Sequence, residues 1–311
     1  MNALEVSNLT KSFNGFKAVD NISFAIPEGV IFGLLGRNGA GKSTTIRMLM
    51  NIYEPDSGSI RFRGNSVGQD FRDRVGYLPE ERGLNTKLRV MDTLLYLAEL
   101  KGKNGQVTKE KAQYYLDRFE LGNRGLSKIQ ELSKGNQQKI QFISTILHEP
   151  DFIILDEPFS GMDPVNVNLF KDIILEMKQQ GRAIIFSTHL MHFAETMCDH
   201  IALIDKGRLL LTGKLSEVKA RFSERNVMLH YEGNIDFLRG TSYVRKVQDF
   251  GNSSGIEVGS SDDSQRLLQD LITHGVRVRK FDANDISLHD IFLSQTGGAV
   301  DTQVQVQGEA A

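Results

Sequence analysis

The stretch Gly36-Arg-Asn-Gly-Ala-Gly-Lys-Ser-Thr44 limits what this chain can fold into more than any other. It fits the phosphate-binding pattern GxxxxGK[ST], and its flanks are those the pattern requires: an apolar strand-like run from Val30 to Leu35 leads in, and an apolar-periodic segment from Thr45 to Ile52 leads out. Glycine at 36, 39 and 41 frees the backbone for positive φ, so its N–H groups can wrap a polyphosphate at a helix N-terminus, where the dipole favours anions. The phosphate-binding set is Gly36, Asn38, Gly39, Ala40, Gly41, Lys42, Ser43 and Thr44. Lys42 is placed to reach the β- and γ-phosphates, and the Ser43 hydroxyl to take a position on Mg²⁺. The alternative is a Gly-rich turn that carries Lys-Ser by chance.

Composition sets the outer limits. With 311 residues and 40% hydrophobic content the chain is long enough for a large domain plus a smaller one. A formal net charge of −2 gives no global basic field, so no nucleic-acid partner is expected. Cys198 is the only cysteine, which excludes an intramolecular disulfide and cysteine-clustered metal sites and suits a reducing compartment. No signal-like segment opens the chain and no apolar run approaches the ~20 residues a membrane span needs. The expected address is cytoplasmic, peripheral to a membrane only if a partner holds the protein there.

Residues 3 to 10 alternate as a half-buried strand, and Ala18 to Ile26 form a second ending at Pro27-Glu-Gly. Between them Phe13 falls in a turn-rich segment with no obvious apolar neighbours, which suits either a stacking platform for a flat base or an ordinary aromatic covering a sheet edge. Short strands follow at Ser59–Phe62 and Val75–Leu78, then a helical region with apolar spacing over Thr93–Leu100, Lys109–Phe119 and Lys139–Leu147. Strand and helix alternation resumes with the apolar runs Phe152–Leu155, Ala183–Phe186 and Ile201–Ile204, each ending in polar residues. In open α/β sheets that edge is where ligands bind. From about Arg221 the pattern becomes strand, helix (Ile235–Leu238), strand, strand, helix, strand, a split βαβ arrangement, with a last helix from Ser287 paired to Asp290.

Hydrolysis of ATP asks for a phosphate cradle, a metal, a positioned water and charge stabilisation at the γ-phosphate. Asp156, ending a buried strand, stands where a Mg²⁺-holding carboxylate belongs, and Glu157 is able to polarise the attacking water; a solvated turn before Pro158 is the alternative. His189, ending the next buried strand, contacts the γ-phosphate or is structural. His189 and His192 form an HxxH pair, but the spacing of a zinc site and a third ligand are lacking.

Taken in order, these motifs resemble the ATP-binding subunit of an ATP-binding cassette (ABC) transporter over roughly residues 3 to 220. Phe13 matches the adenine platform, 36 to 44 the phosphate loop, and Leu132-Ser-Lys-Gly-Asn-Gln-Gln138 the family signature. Residues 152 to 157 match the metal-carboxylate strand, Ser160-Gly-Met-Asp163 the loop that crosses the dimer, and His189 the switch histidine. The signature usually reads LSGGQ; here Lys134 and Asn136 replace a Gly and a Gln, while Ser133 and Gly135 are kept. Where the family usually offers Gln after Tyr-Leu-Pro, this chain has Glu80, which cannot donate as an amide does and is grouped with Ser43 and Asp156 at the metal.

The resemblance implies a P-loop NTPase core of the α/β class, with a mixed sheet and an all-helical lobe at about 84–150, in a domain spanning 1–220. A small α+β accessory domain is expected over 221–296 and a disordered tail over 297–311. The resemblance further implies an ATPase in which two subunits, identical or different, close head to tail over ATP and Mg²⁺. Ser133 and Gly135 of one then face the nucleotide of the other, and a groove bordered by residues 79 to 90 receives a separate membrane-spanning permease. Glu80-Glu81-Arg82-Gly83-Leu84 and the C-terminal domain are similar to the sodium and drug exporter branch. The competing readings are a soluble ATPase acting on ribosomes or nucleic acid, whose relatives carry two cassettes or a long coiled coil, and a regulatory nucleotide-binding module with weak turnover.

Overall fold

The computed structural model describes residues 1–81, 83–223, 226–250, 253–260, 262–283 and 287–296, so the tail expectation for 297–311 lies outside the described residues. The chain divides into two compact units, one of residues 1–215 and one from 216 onward.

In the first unit, β1 (Asn2–Phe13) and β2 (Phe16–Pro27) form a long antiparallel hairpin closed by Asn14-Gly15. Both turn residues have positive φ, 48° and 83°, the backbone that Asn-Gly adopts most readily and the one that matches strand twist. This turn carries β1 beyond the expected end at residue 10, so Phe13 closes a strand rather than sitting in a loop. The chain continues through β3 (Ile31–Leu35), α1 (Lys42–Leu49), β4 (Ser57–Phe62), β5 (Asn65–Ser66), α2 (Gln69–Arg74) and β6 (Val75–Leu78). The helices α3 (Val90–Glu99), α4 (Gly105–Arg118) and α5 (Lys134–Ile146) come next. Then β7 (Phe152–Asp156), α6 (Pro164–Gln179), β8 (Ala183–Thr188), α7 (Met191–Met197), β9 (His200–Asp205) and β10 (Arg208–Lys214) complete the unit, with α8 (Leu215–Ser223) starting at its boundary.

Two sheets face each other. One is antiparallel, in the order β2-β1-β4-β5; the other has the order β10-β9-β3-β8-β7-β6 and is parallel except for β10, so it is mixed. Every residue of β3, β7 and β8 is buried, as near-continuous apolar runs require when both faces of a parallel sheet are covered. The core between the sheets joins Leu4, Val6, Ile22 and Phe24 to Phe32, Ile154 and Ile185, with Ile46 and Leu49 of α1 among them. The short α2 was not foreseen; its anchor is Phe71, 2% exposed, set edge-on to Phe62 at 5.0 Å. In the helical lobe α3, α4 and α5 pack on one another, and Phe142 meets Phe170 of α6 at 4.4 Å. The helix expected from Lys139 begins at Lys134 because the Ser133 hydroxyl accepts from Asn136 N–H at 3.3 Å and caps it.

The second unit contains β11 (Asn226–Glu232), β12 (Val244–Asp249), β13 (Ser253–Val258), α9 (Asp262–Thr273), β14 (Arg277–Asp282) and α10 (Leu288–Thr296). Its sheet order is β12-β13-β11-β14, all neighbours antiparallel, so β11 and β12 run parallel with β13 between them. That is the split βαβ arrangement read from the sequence. The expected helix at 235–238 is instead a 3₁₀ segment, Asp236–Gly240, whose Leu238 is fully buried while Gly240 ends it. Leu267 and Leu271 of α9 bury into the same core, and Ser287 caps α10 by accepting from Asp290 N–H at 3.2 Å.

Candidate active site

The phosphate loop leaves the buried end of β3 and turns into α1 with no room for a side chain at Gly36 or Gly41. A Cβ at Gly36 would lie 2.3 Å from the Ile204 carbonyl oxygen, and one at Gly41, where φ is 107°, would lie 2.4 Å from that of Ala18. Gly41→Ala is therefore expected to lose roughly 2–5 kcal/mol from backbone strain and overpacking combined. Urea unfolding measures this; a midpoint equal to wild type would contradict it.

Lys42, 5% exposed, extends back along the loop and donates to the carbonyl oxygens of Gly36 at 2.8 Å and Arg37 at 3.2 Å. Its Nζ also lies 3.2 Å from Glu157 Oε1, and the same oxygen is 3.1 Å from His189 Nδ1. Residues from the ends of three elements, far apart in sequence, thus converge on one carboxylate oxygen. Glu157 has φ 49°, a left-handed conformation uncommon for Glu and one that clusters at functional sites. Its peptide N–H donates to Ser187 Oγ at 3.0 Å.

Asp156 is 2% exposed, and its Oδ1 accepts from Ser187 Oγ at 2.5 Å and from Ser43 Oγ at 3.3 Å. Burial pushes its carboxyl up from the ordinary range; the Ser187 and Ser43 hydroxyls oppose that, the Glu157 charge adds to it and Lys42 counters it. Tyr77 of β6 is pushed up to about 12 by burial and by the Asp156 charge, so it remains a neutral phenol. Ser187 has no place in any motif, yet it ties Asp156 to the Glu157 backbone. Its only signal was position: it is the register partner of Asp156 on the neighbouring strand.

A cleft of 350 Å³ runs along the phosphate loop, with Phe13 and Phe16 among its walls together with Lys42, Ser43, Thr44 and Glu157. Phe13 does have an aromatic neighbour: Tyr53 meets it edge-on at 5.4 Å, and Lys11 Nζ stands 5.7 Å from its ring. Tyr53 is brought there by the loop after α1, a contact that strand patterning could not show. A second cleft, 510 Å³, is lined by Gln138, Gln141, Asp156 and Ser160; exposed Glu80 and buried Glu157 border both clefts. Ser133 and Gly135, at the start of α5, border neither among the described lining residues. Asp163 caps α6, accepting from Asn166 N–H at 3.0 Å, and His192 packs on Phe193 at 4.0 Å. Among the described residues no helix is long and apolar enough to cross a membrane.

The family described as "ABC transporter" matches residues 19–160, and "ATP-binding protein DrrA1-3-like, C-terminal domain" matches residues 213–296. The chain is similar to the uncharacterized ABC transporter ATP-binding protein YhaQ of Bacillus subtilis, 42% identical over 294 residues that cover 94% of this chain and 98% of that one. It is 29% identical to the daunorubicin/doxorubicin resistance ATP-binding protein DrrA of Streptomyces peucetius, over 96% of this chain and 94% of that one. Among solved structures, an ATP-binding subunit of an ABC transporter superposes with a TM-score of 0.66 at 30% identity, covering 71% of this chain and 93% of the other.

Proposed function

The chain belongs to the ATP-binding subunits of ABC transporters, which hydrolyse ATP to power transport, and from that premise we propose the role of each residue in the site. The observation that supports the assignment best is the meeting of Lys42 and His189 on Glu157 Oε1 beside an Asp156 held by Ser43 and Ser187.

In this reading Gly36, Asn38, Gly39, Ala40, Gly41 and Thr44 present the loop's backbone to the phosphates, Lys42 neutralises the β- and γ-phosphates, and Phe13 carries the adenine. Ser43 and Asp156 are hard oxygen donors linked by their own hydrogen bond, a pair that fits Mg²⁺; Glu80 faces the same space. Mg²⁺, when bound, neutralises charge on the phosphates. Glu157 accepts the proton of the attacking water. His189 holds Glu157 Oε1 together with Lys42, and turns to the γ-phosphate. Ser133 and Gly135, which are not among the described lining residues of either cleft, serve a second subunit's nucleotide, so a closed pair of subunits completes each site.

The working assembly is two such subunits on a separate membrane-spanning permease at the cytoplasmic face, and the resistance named for the Streptomyces relative supports export as its direction. In this reading residues 1–220 are the ATP-binding domain and 221–296 the accessory domain, a boundary that falls within α8, five residues beyond the division between the two compact units. Purification of the native chain from detergent-solubilised membranes tests this. An integral membrane protein is expected to accompany it in fixed ratio, with ATP hydrolysis in the complex; recovery of the chain only on ribosomes or DNA would overturn the transport role.

A further inference from the structure

We propose that Phe16 is a second base-binding residue, closing on the face of the nucleotide's ring opposite to Phe13. This rests on the reading of 36–44 as a nucleotide site. The two phenylalanines are register partners across the tight Asn14-Gly15 turn, the last pair of the β1–β2 hairpin. Side chains of directly opposed residues leave the sheet on the same face with their Cβ atoms about 5 Å apart. Both border the cleft that holds Lys42, Ser43 and Thr44.

Their surroundings differ in a way that suits a clamp. Phe13 is fixed: Tyr53 packs against it in a T-shaped contact, and Lys11 over its ring is itself tied to Asp56 at 2.8 Å and to the Glu54 carbonyl at 2.7 Å. Phe16 is 66% exposed against 39% for Phe13, and no ring contact joins it to Phe13 or to any other described residue. A large apolar ring left in water at a hairpin tip gains by covering a flat apolar surface, and every nucleobase presents one. The Gly15 position has nothing within 4 Å, so the tip is unobstructed. One ring is set as a platform and the other is free to swing; together they bracket a planar base whose triphosphate lies along the loop.

The experiment compares binding of ATP and of inorganic tripolyphosphate, which has no base, to the full chain by calorimetry. Phe16→Ala is expected to weaken ATP by about 5- to 30-fold, the loss of one stacking contact, with tripolyphosphate unchanged. Phe16→Trp is expected to bind ATP at least as tightly as wild type. Phe16 is exposed, so neither variant threatens the fold. ATP affinity within twofold of wild type in Phe16→Ala, or an equal loss for both probes, would overturn the proposal. Lys42→Ala separates the two layers of argument: it should weaken both probes. If it weakens neither, the phosphate loop is not the site and the clamp falls with it; if it weakens both while Phe16→Ala changes nothing, only the clamp is wrong.

Discussion

Glu157→Gln is expected to lower kcat for ATP hydrolysis by about 10²–10⁴-fold, the range a positioned general base contributes, while ATP still binds. The substitution is nearly isosteric. The amide oxygen can accept from Lys42 Nζ and His189 Nδ1 as Oε1 does at 3.2 and 3.1 Å, and the backbone at φ 49° is as uncommon for Gln as for Glu. What disappears is the capacity to take a proton. Glu157→Ala removes the acceptor as well and leaves Lys42 buried without its carboxylate, so it should lose stability in addition to turnover. The measurement is steady-state ATPase activity of the assembled complex beside equilibrium ATP binding. A Gln variant that turns over within threefold of wild type would remove Glu157 from the role of base.

The parts of this site that could be read from sequence are those fixed by the chain itself. The phosphate loop, Asp156-Glu157 and His189 each follow a run of buried apolar residues, and a run that is buried on both faces has little choice but to enter a parallel sheet. Their polar ends then meet at one edge. Ser187 was invisible because its importance comes from lying opposite Asp156 across two strands, and register is a property of pairing rather than of local pattern. Phe16 and Tyr53 were missed for a related reason: one depends on a turn that lengthens the hairpin, the other on a loop folding back over it. In the second unit the succession of strands followed from the alternation of elements. The connection between β11 and β12 is short, however, and there a 3₁₀ turn replaces the helix its apolar spacing suggested.

Asp156→Asn is expected to separate stability from function. Burial raises the Asp156 pKa, so the charged carboxylate is disfavoured in the folded chain relative to the unfolded one. The sign follows directly: the folded state holds this proton to higher pH, the penalty is absent below the unfolded value and full above the folded one, and stability falls as pH rises through that window. Asn carries no such charge, yet its side-chain oxygen can still accept from Ser187 and Ser43. Without nucleotide and Mg²⁺ at neutral pH, the variant should melt at or above the wild-type temperature, and the difference should vanish on acidification. With Mg²⁺ and ATP the order reverses, because the wild type, with a charged carboxylate beside Ser43, gains more stabilisation from a bound metal than the variant does. Turnover should fall by about 10²–10³-fold, matching the several kcal/mol a metal contributes to a phosphoryl transition state. Thermal melts with and without Mg-ATP, across pH, check the three stability outcomes, and steady-state ATPase activity checks the fall in turnover. A variant that melts lower than wild type in the absence of Mg-ATP would mean that Asp156 is charged for the sake of the fold rather than held ready for a cation.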